Sequence, residues 1–162
     1  VVNSETPGLT VEYLEWLGGH LDDLRGEEIG KGPTERDYFI ERFLRIRTKM
    51  TSRDVFRLNR VQREYSWVCS REKTRKNIVL KARQVGITTY IAARFFVQTI
   101  AQPGTLTLQV TQDRESAEDI FRIVRRFWDN IPEDFRKGYL RTSYRSTRHL
   151  VFTGLDSEYC LA

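Results

Sequence analysis

Cysteine, histidine, proline and methionine are all scarce in this 162-residue chain, which has two Cys, two His, four Pro and one Met. Cys69 and Cys160 lie far apart with no His/Cys clustering around them, so their spacing predicts neither a zinc site nor a disulfide framework. A reducing compartment is the corresponding expectation. No apolar run approaches the roughly 20 residues that cross a bilayer, and no signal-peptide pattern opens the chain. A soluble intracellular protein is expected. Clustered carboxylates of the kind that hold two catalytic metals are also missing. So is a run of four apolar residues leading into Asp-Glu. The best apolar strand, His149-Leu150-Val151-Phe152, is followed by Thr153-Gly154, which leaves Asp156 a poor substitute.

The chain is about one domain long and can bury a sizeable core. Lys+Arg number 27 against 22 Asp+Glu, a net charge of +5. Basic residues concentrate in Arg42–Arg75 and again in Arg122–Arg148. Arginine outnumbers lysine, which suits phosphate recognition better than solubility alone. The distribution is consistent with nucleic acid nearby, although solvated helix faces account for most such runs.

Hydrophobic periodicity divides the chain into elements. Val11–Leu17 reads as a short helix ended by Gly18-Gly19, and a polar connector runs from Gly26 to Pro33. Thr34 resembles a helix N-cap, and Tyr38, Phe39, Phe43, Leu44 and Ile46 form an apolar stripe beyond it. A further helix is expected from about Asn59 to Lys73. Asn77–Leu80 is a short apolar run suited to a buried parallel strand, and a helix follows from Thr88 to Ala101. Thr105–Thr111 alternates as a strand should. Ser116–Asn130 carries Ala117, Ile120, Phe121, Val124 and Phe127-Trp128 on one helical face, stopped by Ile131-Pro132. Leu140–Tyr144 and His149–Thr153 close the sequence as strands, with Gly154 in a turn and a third strand beginning near Tyr159. Strand and helix alternating through residues 77–130 predict an α/β fold with a mainly parallel sheet.

Between the expected strand and helix lies Lys81-Ala82-Arg83-Gln84-Val85-Gly86-Ile87-Thr88-Thr89. This resembles a phosphate-binding loop, G-x-x-x-x-G-K-[ST], with its lysine displaced. Gly86 and Thr88 fall at the second glycine and at the Mg²⁺-binding hydroxyl. Lys81 stands at the first glycine, and Ile87 stands where lysine is usual. The first amides of a helix have no partner within it and carry partial positive charge, which suits a polyphosphate. Lys81 at the mouth of the loop can still bring its ammonium over the phosphates. Arg83 has its own rationale, since a guanidinium beside a transferring phosphoryl group offsets developing charge and can be worth ~10³–10⁵ in rate.

Gln62 lies about twenty residues upstream in Leu58-Asn59-Arg60-Val61-Gln62. A carboxamide offers a donor and an acceptor side by side, the pair that adenine matches and guanine does not.

Taken together, L-N-x-x-Q, N-I-V-L-K-A-R-Q-V-G-I-T-T and E-S-A-E-D-I-F-R-I-V-R-R-F-W-D-N-I-P-E resemble the start of the ATPase domain of viral large terminases. These are the motors that package DNA into phage capsids. The resemblance covers roughly residues 36–162 and is most specific at 77–89. It implies a RecA-like P-loop core over 56–162, preceded by a helical segment over 1–55, and binding of ATP with Mg²⁺. By position, Gln62 matches an adenine-contacting glutamine, and Lys81 the displaced loop lysine. Thr88 matches the Mg²⁺ ligand, with Thr89 beside it, and Arg83 a γ-phosphate-sensing arginine. The loop residues Ala82, Gln84, Val85, Gly86 and Ile87 would surround the phosphates. Implied partners are double-stranded viral DNA, the portal protein, the small terminase subunit and further copies in a ring on the procapsid. The implied location is the host cytoplasm, with no membrane.

Members of that family place the Asp-Glu element and a nuclease domain later in the chain, so these residues are expected to be the front part of a longer protein. Arg114, Arg122, Arg125 and Arg126 are further candidates for reaching a neighbouring subunit's nucleotide. Two other readings stand beside this one: a different P-loop motor, such as a helicase or repair ATPase, and a non-catalytic basic DNA-binding module.

Overall fold

The structure is a computed structural model that describes residues 35–51, 53–72, 76–136, 140–146 and 148–162. The expected helix at Val11–Leu17, the connector at Gly26–Pro33 and the cap at Thr34 lie outside these residues.

Helix α1 spans Glu35–Phe43. It buries Asp37 and Ile40, and Leu44 continues that buried face one turn further on. The apolar stripe read from Tyr38 to Ile46 therefore outruns the helix. Ile46 belongs instead to β1, Arg45–Ile46, which pairs antiparallel with β2, Asp54–Val55. Helix α2 follows at Arg60–Glu72 and α3 at Ile87–Ala101. Helix α3 is the central element. Ile87, Tyr90, Ala92, Ala93, Phe96, Val97, Thr99 and Ile100 are all buried, because neighbours pack on more than one side of it.

Strand β3, Leu106–Gln109, leads to α4, Arg114–Asn130. Asp113 caps α4 by accepting the Ser116 amide at 2.8 Å. Those bonds from Ser116, backbone first, hold the Asp113 carboxyl below its ordinary value. One face of α4 is buried through Ala117, Phe121, Val124, Phe127 and Trp128. The short helix α5, Glu133–Arg136, precedes β4, Thr142–Ser146, β5, His149–Phe152, and β6, Ser157–Leu161.

The larger sheet has the order β3-β6-β5-β4. Only β3 and β6 run parallel; β6 with β5 and β5 with β4 are antiparallel. Among the described residues the fold is thus mixed α/β, and its sheet is not mainly parallel as expected. The β5–β6 connection is a short turn over Thr153–Asp156, which suits antiparallel pairing. Rings knit helices to sheet. Phe56 stacks on Phe127 at 6.1 Å, Phe127 meets Phe96 at 5.9 Å, Phe96 meets Phe152 at 6.3 Å, and Trp128 closes on Phe152 at 5.3 Å. Leu150, Phe152, Tyr159 and Leu161 supply the sheet's share of this core. Thr99 and Thr107 join α3 to β3 through their hydroxyls at 2.7 Å.

The expectation for Asn77–Leu80 fails. These residues form no strand, and the side chains of Ile78 and Leu80 are fully exposed. A strand exists only when a neighbour accepts its backbone bonds. Among the described residues, none lies alongside 77–80 as a ladder partner.

Candidate functional site

The N-terminus of α3 is set by α2. Asn59 caps α2, its side-chain oxygen accepting the Gln62 amide at 3.0 Å while the Gln62 side-chain oxygen accepts the Asn59 amide at 2.9 Å. This is a reciprocal capping box with Asn and Gln in the two roles. Each side chain then reaches the loop. Asn59 Nδ2 donates to the Val85 carbonyl at 3.1 Å, and Gln62 Nε2 donates to the Gly86 carbonyl at 2.9 Å.

Gly86 is the N-cap of α3 at φ +74°, a region that side chains other than glycine enter only with strain. A Cβ there would sit 2.8 Å from Gln62 Nε2, so the close approach of α2 requires glycine as well. Gln84 also has positive φ, at 61°. No side chain caps α3. Its first amides are therefore available to a ligand anion, with the helix dipole behind them.

Behind this junction, a buried polar network ties α1, α2 and α3 together. Asp37 accepts from Ser66 and from Tyr90, both at 2.5 Å, and Arg94 donates to the same two hydroxyls at 3.1 and 3.0 Å. Burial, and then the bond to Asp37, pushes the Tyr90 phenol up to about 12. Burial works against the charged Arg94, but Tyr90 and Asp37 outweigh it and hold Arg94 above its ordinary value. On the outer side, Glu41 accepts from the Leu58 amide at 2.8 Å and from Arg63 at 2.7 Å, fixing the entry to α2.

In front of the junction opens a cleft of about 980 Å³, large enough for a nucleotide-sized ligand. Ile46, Phe56 and Ile123 give it apolar surface, and Asn59, Gln62, Gln84, Gly86 and Thr89 line the side next to α3. Arg47, Lys49 and Arg57 come from the β1–β2 region, while Arg122 and Arg126 come from α4. Arg122 is paired with Asp119.

The loop residues from sequence divide between two environments. Gln62, Gln84, Gly86 and Thr89 meet at the cleft. Val85 is half-buried, and Ile87 is buried, with its side chain 2% exposed. A lysine at position 87 would carry its charge into the core, so isoleucine suits the place this backbone gives it. Lys81, Ala82, Arg83 and Thr88 are exposed and do not line the cleft. The Gln62 amide has one committed oxygen lone pair and one committed hydrogen, which leaves one of each.

Sequence reading missed Arg47, Lys49 and Arg57 as cleft residues. Their only sequence signal was the general basic density after Arg42. Arg122 and Arg126, weighed as arginines for a neighbouring subunit, lie on this chain's own cleft.

Comparison with protein families, curated proteins and solved structures found no match to this chain. Among the described residues, no helix is long and apolar enough to cross a membrane.

Proposed function

We propose that this chain binds ATP with Mg²⁺ at the α3 N-terminus and belongs to the ATPase portion of a DNA-packaging motor of the viral large-terminase kind, with a RecA-like core. The observation that carries the reading is the glycine-capped, side-chain-free N-terminus of α3 opening beside a basic cleft. In this reading the α3 amides and Lys81 hold the phosphates, and Thr88 offers its hydroxyl to Mg²⁺. Arg83 responds to the γ-phosphate. The uncommitted donor and acceptor of Gln62 match adenine. Arg122 and Arg126 lend positive charge from the opposite wall. Double-stranded viral DNA, the portal protein, the small terminase subunit and ring neighbours are the partners this function requires.

The test is displacement of a fluorescent ATP analogue from the 162-residue chain in the presence of Mg²⁺. ATP should compete better than GTP, and Lys81→Ala should weaken ATP at least tenfold while the far-UV spectrum is unchanged. Equal competition by both nucleotides would remove the adenine assignment. Undiminished binding by Lys81→Ala would remove the displaced-lysine assignment.

A second reading has one specific observation in its favour: five basic residues line the cleft, while Lys81 and Arg83 stand outside it. A basic module that binds DNA without nucleotide would show affinity falling steeply with salt and indifferent to ATP.

A further inference from the structure

We propose that His149, Glu158 and Cys160 form a binding site for a single Zn²⁺ ion, on the face of the sheet opposite the helices and independent of the nucleotide reading. Strands β5 and β6 are antiparallel, with His149 directly opposite Cys160 and Val151 opposite Glu158. Side chains alternate along a strand, so Glu158 and Cys160, two residues apart, share the face that receives His149. The intervening Tyr159 and the flanking Ser157 and Leu161 point the other way and are buried. One imidazole nitrogen, a carboxylate oxygen and the Cys160 Sγ all lie within 4.8 Å of one another. His149 Nε2 and Glu158 Oε2 are already 2.7 Å apart.

The donor set selects the ion. Nitrogen, oxygen and thiolate sulfur together fit Zn²⁺, whereas Mg²⁺ and Ca²⁺ take oxygen donors throughout. Tetrahedral Zn²⁺, with bonds of about 2.0–2.3 Å, places its donors roughly 3.5 Å apart. Binding therefore opens the His149–Glu158 pair from its 2.7 Å and draws the Cys160 Sγ to the same spacing, adjustments that side-chain torsions of Glu158 and Cys160 can supply. All three residues are half-buried, so they are partly shielded from water yet reachable. Three protein donors leave the fourth position to water. Binding replaces the proton shared by His149 and Glu158, and the Cys160 thiol gives up its own. The ion then clips β6 to β5, and β6 is the strand against which β3 pairs in parallel.

Sequence spacing gave no sign of this site because residues 149, 158 and 160 meet only through strand register. The experiment is titration of chelator-stripped protein with Zn²⁺ alone against a chromophoric chelator, with Co²⁺ as spectroscopic probe. One equivalent should bind, a thiolate-to-cobalt charge-transfer band should develop, and Tm should rise by about 5–10 °C at hundredfold excess over Kd. Cys69→Ser should keep all three responses. His149→Gln should lose stoichiometric uptake, and Cys160→Ser should lose the charge-transfer band. Uptake persisting in both variants, or lost in Cys69→Ser, would overturn the assignment. Where a variant fails to fold by circular dichroism, the cobalt spectrum of Cys69→Ser decides: without the charge-transfer band there is no site.

Discussion

Between Asn77 and Thr89 the chain passes through two unlike environments. Downstream, Val85 and Gly86 are bonded to the α2 cap, and Ile87 is sealed into the core. Upstream, Ile78 and Leu80 stand fully in solvent, followed by exposed Lys81, Ala82, Arg83 and Gln84. The contrast teaches that the α3 N-terminus is positioned by the helix before it in the chain, through the Asn59–Gln62 box, and not by a strand feeding into it. Local stability follows buried contacts and satisfied backbone groups, and here both begin at Val85.

The largest effect should come from the anchor itself. Asp37→Ala leaves the buried hydroxyls of Ser66 and Tyr90 without their acceptor and Arg94 without its nearby carboxylate. It should destabilise by about 3 kcal/mol in urea unfolding. A loss below about 1 kcal/mol would show that the α1–α2–α3 network does not hold the junction. Gly86→Ala comes next, at about 2 kcal/mol, from the positive φ and the clash with Gln62. A double-mutant cycle with Gln62→Ala separates the two causes. Removing the glutamine should recover the steric part of the penalty, and strict additivity would mean that only backbone strain is at work.

The same anchor predicts a pH response. The Tyr90 phenol titrates near 10 when unfolded and is pushed up to about 12 when folded. Its contribution is complete below pH 10 and is lost as pH rises from there through 12. Tyr90→Phe should therefore show a shallower fall in stability between pH 10 and 12 than the parent chain. Parallel curves would remove Tyr90 from the network's energetics.

The smallest effect belongs to the exposed half. Leu80→Asp should change stability by no more than about 0.5 kcal/mol, as for other solvent-facing positions. A cost near 3 kcal/mol would mean that residues 77–80 are a buried strand after all, and would dissolve the contrast between the two halves.

Four helices of the described region were legible because their signals are local. The stripe through Tyr38, Phe39 and Phe43 marked α1, and α2 was read as starting near Asn59. The apolar spacing from Ile91 to Ile100 gave α3, and Ile131-Pro132 ended α4. Strands β3 and β5 were read within a residue or two, since alternation is also local, while β6 was placed two residues late. Gly86 was identified as a glycine the loop requires, and the structure adds Gln62 Nε2 as the atom it must admit.

What the sequence determined by itself was helices α1 to α4 and the rough positions of strands β3, β5 and β6, because period, cap and turn residues act over a few positions; β1, β2 and α5 were not read from it. Tertiary structure decided everything that needs a distant partner. Asn77–Leu80 carries strand residues, yet among the described residues no neighbouring ladder accepts them. Ile87 takes a core position that its place in the motif does not announce. Arg47, Lys49, Arg57, Arg122 and Arg126 share one cleft with Gln62, where Phe56 packs on Phe127. His149, Glu158 and Cys160 meet through strand register alone. Hydrogen-bond ladders and side-chain packing join residues far apart in the chain, and no local pattern encodes which of them will meet.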